Sequence, residues 1–360
     1  MPAMNFYDLT LEQLREYLGN LGEERFRADQ LFAWVYEKEV PDFAGMSNLP
    51  KQLRAALPGY LSLELPAVIE RRESRDGTIK LLLDVGEAMS VESVLIPAEG
   101  RVTLCLSTEV GCNLACKFCY TGKRKLEKRL SAGQIVGQFL QAKRVLPPGG
   151  RITNVVFMGM GEPLDNPEAL FASIQILADP AGSGFSRKRI TVSTAGLVPM
   201  IPRVTAMGTR LAVSLNGSNN ATRSAVMPIN KKYPLEEVLE ACRTHARQSG
   251  DKVTFEYVLL QGVTDSVAHA RELYRLTRSV PGKINLIPFN EHPDAEFSRP
   301  RRESVFRFKN ELIRLGADVF VRRTMGRDIY AACGQLTSKF PEHPGGMPPE
   351  QFEKSGYSIV

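Results

Sequence analysis

The period of the hydrophobic pattern changes twice along this chain. Up to about residue 60, apolar positions recur at helical spacing. Leu11, Leu14 and Leu18 share one face, with Thr10 and Glu12-Gln13 in cap and first-turn positions. Leu31, Trp34 and Val35 mark a second helix, and Ser47-Asn48-Leu49-Pro50 opens a third with Leu53 and Leu57 inward. From about 61 to 98 the period becomes two. Val68-Ile69-Glu70 and Lys80-Leu81-Leu82-Leu83 flank Arg75-Asp76-Gly77-Thr78, an Asp-Gly turn that predicts a β-hairpin, and the run from Val91 to Ile96 predicts a third strand ending at Pro97. Alternation places Glu92 on the outward face of that strand.

From 102 to about 322, short apolar runs alternate with helical stretches. Strands are predicted at 102–106, 153–158, 189–193, 210–215, 253–259, 283–288 and 318–321, and helices near 131–145, 167–178, 198–206, 235–248, 267–279 and 302–314. The pattern is that of an α/β fold with a parallel sheet and covering helices. Repeated βα units close into a barrel or open into a doubly wound sheet, and in either case function gathers at the C-terminal strand ends. The notable polar clusters lie there: a cysteine loop after the first strand, Gly159-Met160-Gly161-Glu162-Pro163 after the second, Ser193-Thr194-Ala195-Gly196 after the third, Ser214-Leu215-Asn216 after the fourth and Pro288-Phe289-Asn290 after the sixth. Beyond Leu336 a Pro/Gly-rich stretch predicts a poorly ordered tail. The chain thus divides into a helical module (1–60), a β linker (61–98), an α/β body (99–336) and a tail (337–360).

Composition narrows the class. With 360 residues, 43% of them hydrophobic, the chain can bury one large core, and no apolar run is long enough to span a bilayer. The N-terminus lacks the charged and apolar regions of a signal peptide, so the six cysteines are read in a cytoplasmic context, as metal or redox groups rather than structural disulfides. Lysine and arginine outnumber acids 46 to 40, a net charge of +6, which is compatible with a polyanionic partner. Arg25, Arg27, Lys51 and Arg54 in the helical module, and Lys123, Arg124 and Lys125 farther on, are candidate phosphate contacts; the default for such a helix face is solvation. The histidines at 245, 269, 292 and 343 form no spaced set, and Cys242 sits in a helical stretch as a small core residue.

The chemistry concentrates in Cys112-Asn113-Leu114-Ala115-Cys116-Lys117-Phe118-Cys119. A 4Fe-4S cube closed by protein alone takes four thiolates, and C-x₃-C-x₂-C offers three, leaving one iron open to a small molecule. A three-cysteine zinc site completed by a distant ligand is the competing reading. Glycines at 159–163 let backbone approach a ligand beside that loop, and Cys333 lies in the small-residue run Ala331-Ala332-Cys333-Gly334.

The triplet, with Phe118 before its last cysteine, matches the signature of the radical S-adenosylmethionine (SAM) enzymes. Taken with Phe26-Arg27-Ala28 to Leu49-Pro50, Cys105-Leu106-Ser107-Thr108-Glu109-Val110-Gly111-Cys112, Gly161-Glu162-Pro163, Met227-Pro228-Ile229-Asn230-Lys231 and Ala332-Cys333-Gly334-Gln335-Leu336, the chain resembles the dual-specificity rRNA and tRNA adenine-C2 methyltransferases of that superfamily over nearly its whole length. The resemblance implies a partial (βα) barrel, a 4Fe-4S cluster on Cys112, Cys116 and Cys119, and SAM contacts from Gly161, Glu162, Ser193, Ser214, Leu215, Asn216 and Asn290. It further implies that Cys333 carries a methyl group and, as a methylene radical, adds to C2 of adenine; that Glu92 accepts a proton; and that Cys105 resolves the protein–RNA adduct, leaving a disulfide. The implied partners are 23S rRNA, the tRNA adenosine beside the anticodon and an external electron donor; a monomer is expected, with no membrane partner. The pattern departs at Asn216, where many members carry histidine, and at Lys128-Arg129-Leu130, where many carry Arg-Asn-Leu. A related C8-specific adenine methyltransferase shares the cysteines, whereas a non-catalytic Fe-S or zinc RNA-binding protein has no need of Cys105 and Cys333.

Overall fold

The computed structural model describes residues 3–337, so the expected tail lies, apart from Thr337, outside the described residues. The N-terminal module contains strand β1 (Met4–Asn5), helices α1 (Leu11–Asn20), α2 (Phe26–Tyr36) and α3 (Lys51–Ala56), and strand β2 (Leu61–Ser62), which pairs in parallel with β1. Thr10 opens α1 through a capping box: its hydroxyl accepts from the Gln13 amide at 3.3 Å, and the Gln13 side chain accepts from the Thr10 amide at 2.9 Å. Leu11, Leu14 and Leu18 are buried as the spacing predicts, as are Leu31, Val35, Leu53 and Leu57. Trp34 is half-buried, its indole donating to Asn48, while Phe6, Tyr7, Phe32 and Tyr36 form an aromatic cluster with Phe32 and Tyr36 centroids 4.5 Å apart.

One ten-stranded sheet organises the rest. Strands β3 (Val68–Glu73), β4 (Ile79–Asp84) and β5 (Ser90–Ala98) are antiparallel, and β5 continues antiparallel onto β6 (Arg101–Cys105). A small ribbon of β7 (Glu109–Val110) and β8 (Lys128–Arg129) follows, then helix α4 (Ala132–Arg144). Next come β9 (Asn154–Phe157), α5 (Pro167–Ala178), β10 (Ile190–Thr194), α6 (Ile201–Met207), β11 (Arg210–Ser214), α7 (Asn220–Val226) and α8 (Leu235–Ser249). The chain continues through β12 (Val253–Leu259), α9 (Val267–Thr277), β13 (Gly282–Pro288), α10 (Arg302–Arg314) and β14 (Val319–Val321). Strands β6 and β9 to β14 are parallel neighbours in chain order, the sheet of a partial barrel.

The predicted strands and helices of this region are present within three residues, and three features are new. Helix α7 and the β7–β8 ribbon have no apolar run long enough to signal them. The three strands of the β linker extend the barrel sheet edge to edge. The helical module shares the barrel's apolar core, and Asp8 accepts from the Gly133 amide at 2.6 Å in the first turn of α4, where the helix dipole favours an anion.

Burial also corrects Glu92. Both faces of β5 are covered from Val91 to Leu95, so alternation does not select an outward face there. Ser93 turns to Gln138 of α4 at 2.7 Å, and the opposite face, with Glu92, is fully buried toward the end of the chain.

Candidate active site

The ladder registers decide which side chains meet. Cys105 is opposite Val94 on β5 and Val156 on β9; onward pairings set Ser193 against Ala212, Ser214 against Glu256, and Glu256 against Asn285. Directly opposed residues share a face, so Cys105, Ser193, Ser214, Glu256 and Asn285 all point to the barrel interior. Among the covering helices, Cys242 on α8 is fully buried in the apolar core and takes no part in the site.

A cavity of about 930 Å³, its open mouth included, lies at the C-terminal strand ends. Cys112, Cys116 and Cys119 border it together with Gly161, Glu162, Ser193, Ser214 and Asn216. The cysteine loop is held by its own neighbourhood: the Cys112 amide donates to Arg124, Cys119 to Cys116 and Lys117 to the end of α7 at Val226. Gly111 has φ +79°, and a Cβ there would lie 2.0 Å from the Lys125 carbonyl oxygen, so only glycine admits this return of the loop. Burial pushes the Cys112 thiol up to about 12 and raises Cys116 and Cys119, so a cation is needed to make them thiolates, and binding one would release protons.

The glycine turn is fixed by two acids. Gly161 has φ +96° and would set a Cβ 2.6 Å from that of Glu109. Glu109 is fully buried, accepts from the Glu162 amide at 2.9 Å, and is pushed up to about 8 by burial. Glu162 bridges two loops, accepting from Ala195 at 2.8 Å and Leu164 at 3.2 Å; burial raises it to about 7. Its carboxylate is therefore used to join the turns after β9 and β10. Arg129, at a departure from the family pattern, reaches Asp165 beyond the same turn at 2.8 Å.

Asn216 sits at φ +49°, a left-handed backbone that asparagine tolerates. Its amide is spent internally, accepting from Val258 at 2.9 Å and donating toward Met227 Sδ at 3.3 Å. The Leu215 side chain is in the core and its carbonyl accepts from Arg223 at 3.0 Å. Arg223, fully buried on α7, also donates to Ala195, Ser214, Asn230 and Tyr233 and so ties the ends of β10 and β11 together. It escaped sequence reasoning because α7 did. Asn230, in the motif Met227 to Lys231, was the available signal.

A second cavity of about 530 Å³ adjoins the first; Cys105, Met158, Asn290 and Arg322 border it. Cys333 borders both. Asn290 is placed here, donating to the Cys333 carbonyl at 3.0 Å and itself held by Arg299 at 3.0 Å. The disulfide implied by resemblance is absent: Cys105 and Cys333 are free thiols, both raised by burial, with the charge of Arg322 opposing that rise. Glu92 forms an ion pair with Lys80 at 3.0 Å and accepts from the Thr337 amide at 3.0 Å. Two expected phosphate contacts are already engaged in this rim: Lys123 meets Asp294 and Glu296, and Arg124 meets Thr337 and Glu127. Lys51 and Lys125 are exposed on the surface, as is Arg25, which pairs with Glu12 at 2.7 Å. Among the described histidines, His245 meets Thr205, His269 meets Ser266 and His292 stacks on Tyr120.

A partial parallel barrel with three cysteines after its first strand and a glycine turn after its second defines a radical SAM type of protein. The radical SAM superfamily model matches residues 106–274, and that of the ribosomal RNA large subunit methyltransferase N-terminal domain matches residues 4–62. The chain is 57% identical over 335 residues to the dual-specificity RNA methyltransferase RlmN of Bdellovibrio bacteriovorus, covering 93% of this chain and 84% of that one. A radical SAM methyltransferase of Sphaerobacter thermophilus, solved as a crystal structure, superposes with a TM-score of 0.89 at 44% identity, covering 93% of this chain and all of the other. The chain belongs to the RlmN family of RNA methyltransferases.

That family works with a 4Fe-4S cluster and SAM. The residues fit the group: three cysteines border one cavity, and the glycine turn leaves its wall without side chain where a Cβ would intrude. Cys112, Cys116 and Cys119 would hold the cluster.

Proposed function

We propose that this protein methylates C2 of an adenine in 23S rRNA and in tRNA next to the anticodon, through a methylated Cys333 and a covalent protein–RNA adduct. The observation that carries the reading is the position of Cys333, on the boundary between the cavity of the cluster cysteines and the cavity of Cys105. When bound, the cluster and SAM supply a radical able to take hydrogen from a methyl group, chemistry no side chain performs alone. Asn290 and the Tyr120 amide, which donates to Gly334 at 2.8 Å, hold the Cys333 backbone for that attack. Once the adduct has given up its unpaired electron, which the bound cluster would accept, Glu92 takes the C2 proton. Cys105 then bonds to Cys333 Sγ as the bond from that sulfur to the transferred carbon breaks; the carbon keeps the electron pair and is protonated, and thiol exchange regenerates the cysteines. C2 needs this route because it is electron-poor and does not attack SAM.

The helical module of residues 1–60 is assigned to RNA contact, residues 61–98 to joining it to the barrel, and residues 99–336 to the reaction. No described helix is long and apolar enough to cross a membrane. A cytoplasmic monomer served by an external one-electron donor accords with an RNA substrate. The base must be unstacked to reach Cys333, at a cost of about a few kcal/mol that contacts with the RNA offset. The test is anaerobic incubation with SAM, a reductant and RNA lacking the modification, followed by nucleoside mass spectrometry. 2-Methyladenosine is expected; 8-methyladenosine, or no methylated base, overturns the reading.

A further inference from the structure

Lys80 is a fully buried lysine that the sequence motifs leave unused. The ladder sets it opposite Val94 on β5, and Val94 opposite Cys105 on β6, so Lys80, Glu92 and Cys105 share one face of the sheet. Its ammonium lies 3.0 Å from Glu92 Oε1 and donates to the Tyr330 carbonyl at 3.0 Å. Glu92 Oε2 accepts from the Thr337 amide at 3.0 Å. The pair therefore grips both ends of the segment 330–337, in whose middle stands Cys333. Tyr330, at φ +52°, holds a backbone conformation that a tyrosine seldom adopts without outside support.

A buried ion pair is a poor way to add stability, since two desolvated charges cost about as much as their attraction returns. Its effect lies in what each partner does to the other. Burial drives the Glu92 carboxyl toward its neutral form and Lys80 toward neutrality too, and their mutual attraction opposes both. The other charges facing the pair are Arg72 and Glu70 on β3, and Tyr120 lies near Glu92 as a titratable group.

We propose that Lys80 is a positioning residue: it keeps Glu92 ionised as proton acceptor and ties that charge to the hold on the Cys333 segment, so that a proton arriving on Glu92 loosens the segment. The inference rests on the proposed role of Glu92. In the step concerned, which follows loss of the adduct's unpaired electron to the bound cluster, a proton leaves C2 and binds a Glu92 carboxylate oxygen, while the C–H electron pair stays on the base. The pair passes from zero net charge to one positive charge. The bond to the Thr337 amide loses its charge assistance, and Lys80 loses the charge of its Glu92 partner. Both changes favour release of segment 330–337, which gives Cys105 its approach to Cys333 Sγ.

Lys80→Met, Lys80→Gln and Lys80→Arg are compared in the full chain with reconstituted cluster. Two readouts are used: amide hydrogen exchange at Thr337 without RNA, and persistence of the protein–RNA adduct on denaturing gels as a function of pH. Exchange at Thr337 should quicken on the order of tenfold in Lys80→Met and Lys80→Gln. The adduct should persist in both, with the acid limb of its resolution moved to higher pH, because Glu92 without its cation holds a proton longer. Lys80→Arg should restore both measures. If Lys80→Met does not fold, Lys80→Gln, which keeps a donor for Tyr330 without the charge, decides alone. Unchanged exchange, or an unchanged pH limb, overturns the proposal. Glu92→Gln, run in parallel, separates the two ideas. If it turns over like wild type, the proton-acceptor role is wrong; if it accumulates adduct while the Lys80 variants do not, the link through Lys80 alone fails.

Discussion

The two cysteine-bearing stretches of the site are built in opposite ways. The loop of Cys112, Cys116 and Cys119 is short in sequence, closes through hydrogen bonds from Cys112 to Arg124 and from Cys119 to Cys116, and is bracketed by its own ribbon, β7 with β8. The segment of Cys333 has few local bonds, chiefly the turn of Gln335 on Ala332 and those of Tyr330 and Ala331 to residues 326–327, and is held largely from afar. Lys80, Glu92, Tyr120, Thr121, Arg124, Asn290 and the Glu291 carbonyl grip it between residues 330 and 337. Just upstream, Ser74 and Asp76 of the hairpin turn hold Asp328 at 2.6 Å and the Gly326 amide at 2.8 Å. A metal-binding loop works when its ligands keep their spacing, which local chain geometry secures. A segment that, in the proposed reaction, presents one sulfur to a radical and then to a second thiol needs its position set by the whole barrel.

The comparison breaks most completely at the ligands. Cys112→Ala, Cys116→Ala or Cys119→Ala should each abolish stable cluster binding and SAM cleavage, since each removes one of the three proposed protein ligands. Iron analysis and deoxyadenosine formation check this, and a full cluster with normal cleavage in any of the three contradicts the assignment. The next largest effect separates the far-held thiols. Cys333→Ala should leave no methyl group on protein or RNA, whereas Cys105→Ala should trap protein on RNA as a nuclease-sensitive shifted band that vanishes in the double substitution. Equal turnover by Cys105→Ala and wild type, with no trapped band, removes its resolving role.

A smaller change sharpens the contrast. Asp76→Ala deletes a grip on Gly326 and should cost about 1–2 kcal/mol of local order at residues 326–337. Methyl transfer should fall severalfold while iron content stays at the wild-type level; equal loss of both would mean that the two stretches are not independently built. The smallest effect is one of pH. Glu109 and Glu162 are raised to about 8 and about 7 by burial, above their unfolded values. Their contribution to the stability of cluster-free protein is then fully present below the unfolded pKa and is lost as pH rises through the folded values. The unfolding temperature should fall between about pH 4.5 and pH 8, and Glu109→Gln should flatten that fall. An unchanged slope in Glu109→Gln would exclude it as the group responsible.

The sequence by itself determined the barrel strands and their helices, because each apolar run is buried on a repeating βα unit and its period is written locally. It marked the candidate cluster loop for the same reason: three cysteines within eight residues need no distant partner to be recognised. The roles of Cys105, Cys333 and Glu92 came through resemblance, and their placement together came from the tertiary structure. Local alternation turned Glu92 outward, because nothing near it in the chain shows that residues 330–337 cover that face of β5. Lys80 was a hairpin residue until the sheet register brought it against Glu92, and Arg223 lay on a helix too short to signal itself. Asn216 and Glu162 carried ligand expectations, yet their side chains are committed to backbone amides 42 and 33 residues away. Side chains whose partners lie far along the chain have no local period to betray them. Only a folded sheet, with its register fixed, decides which of them face one another.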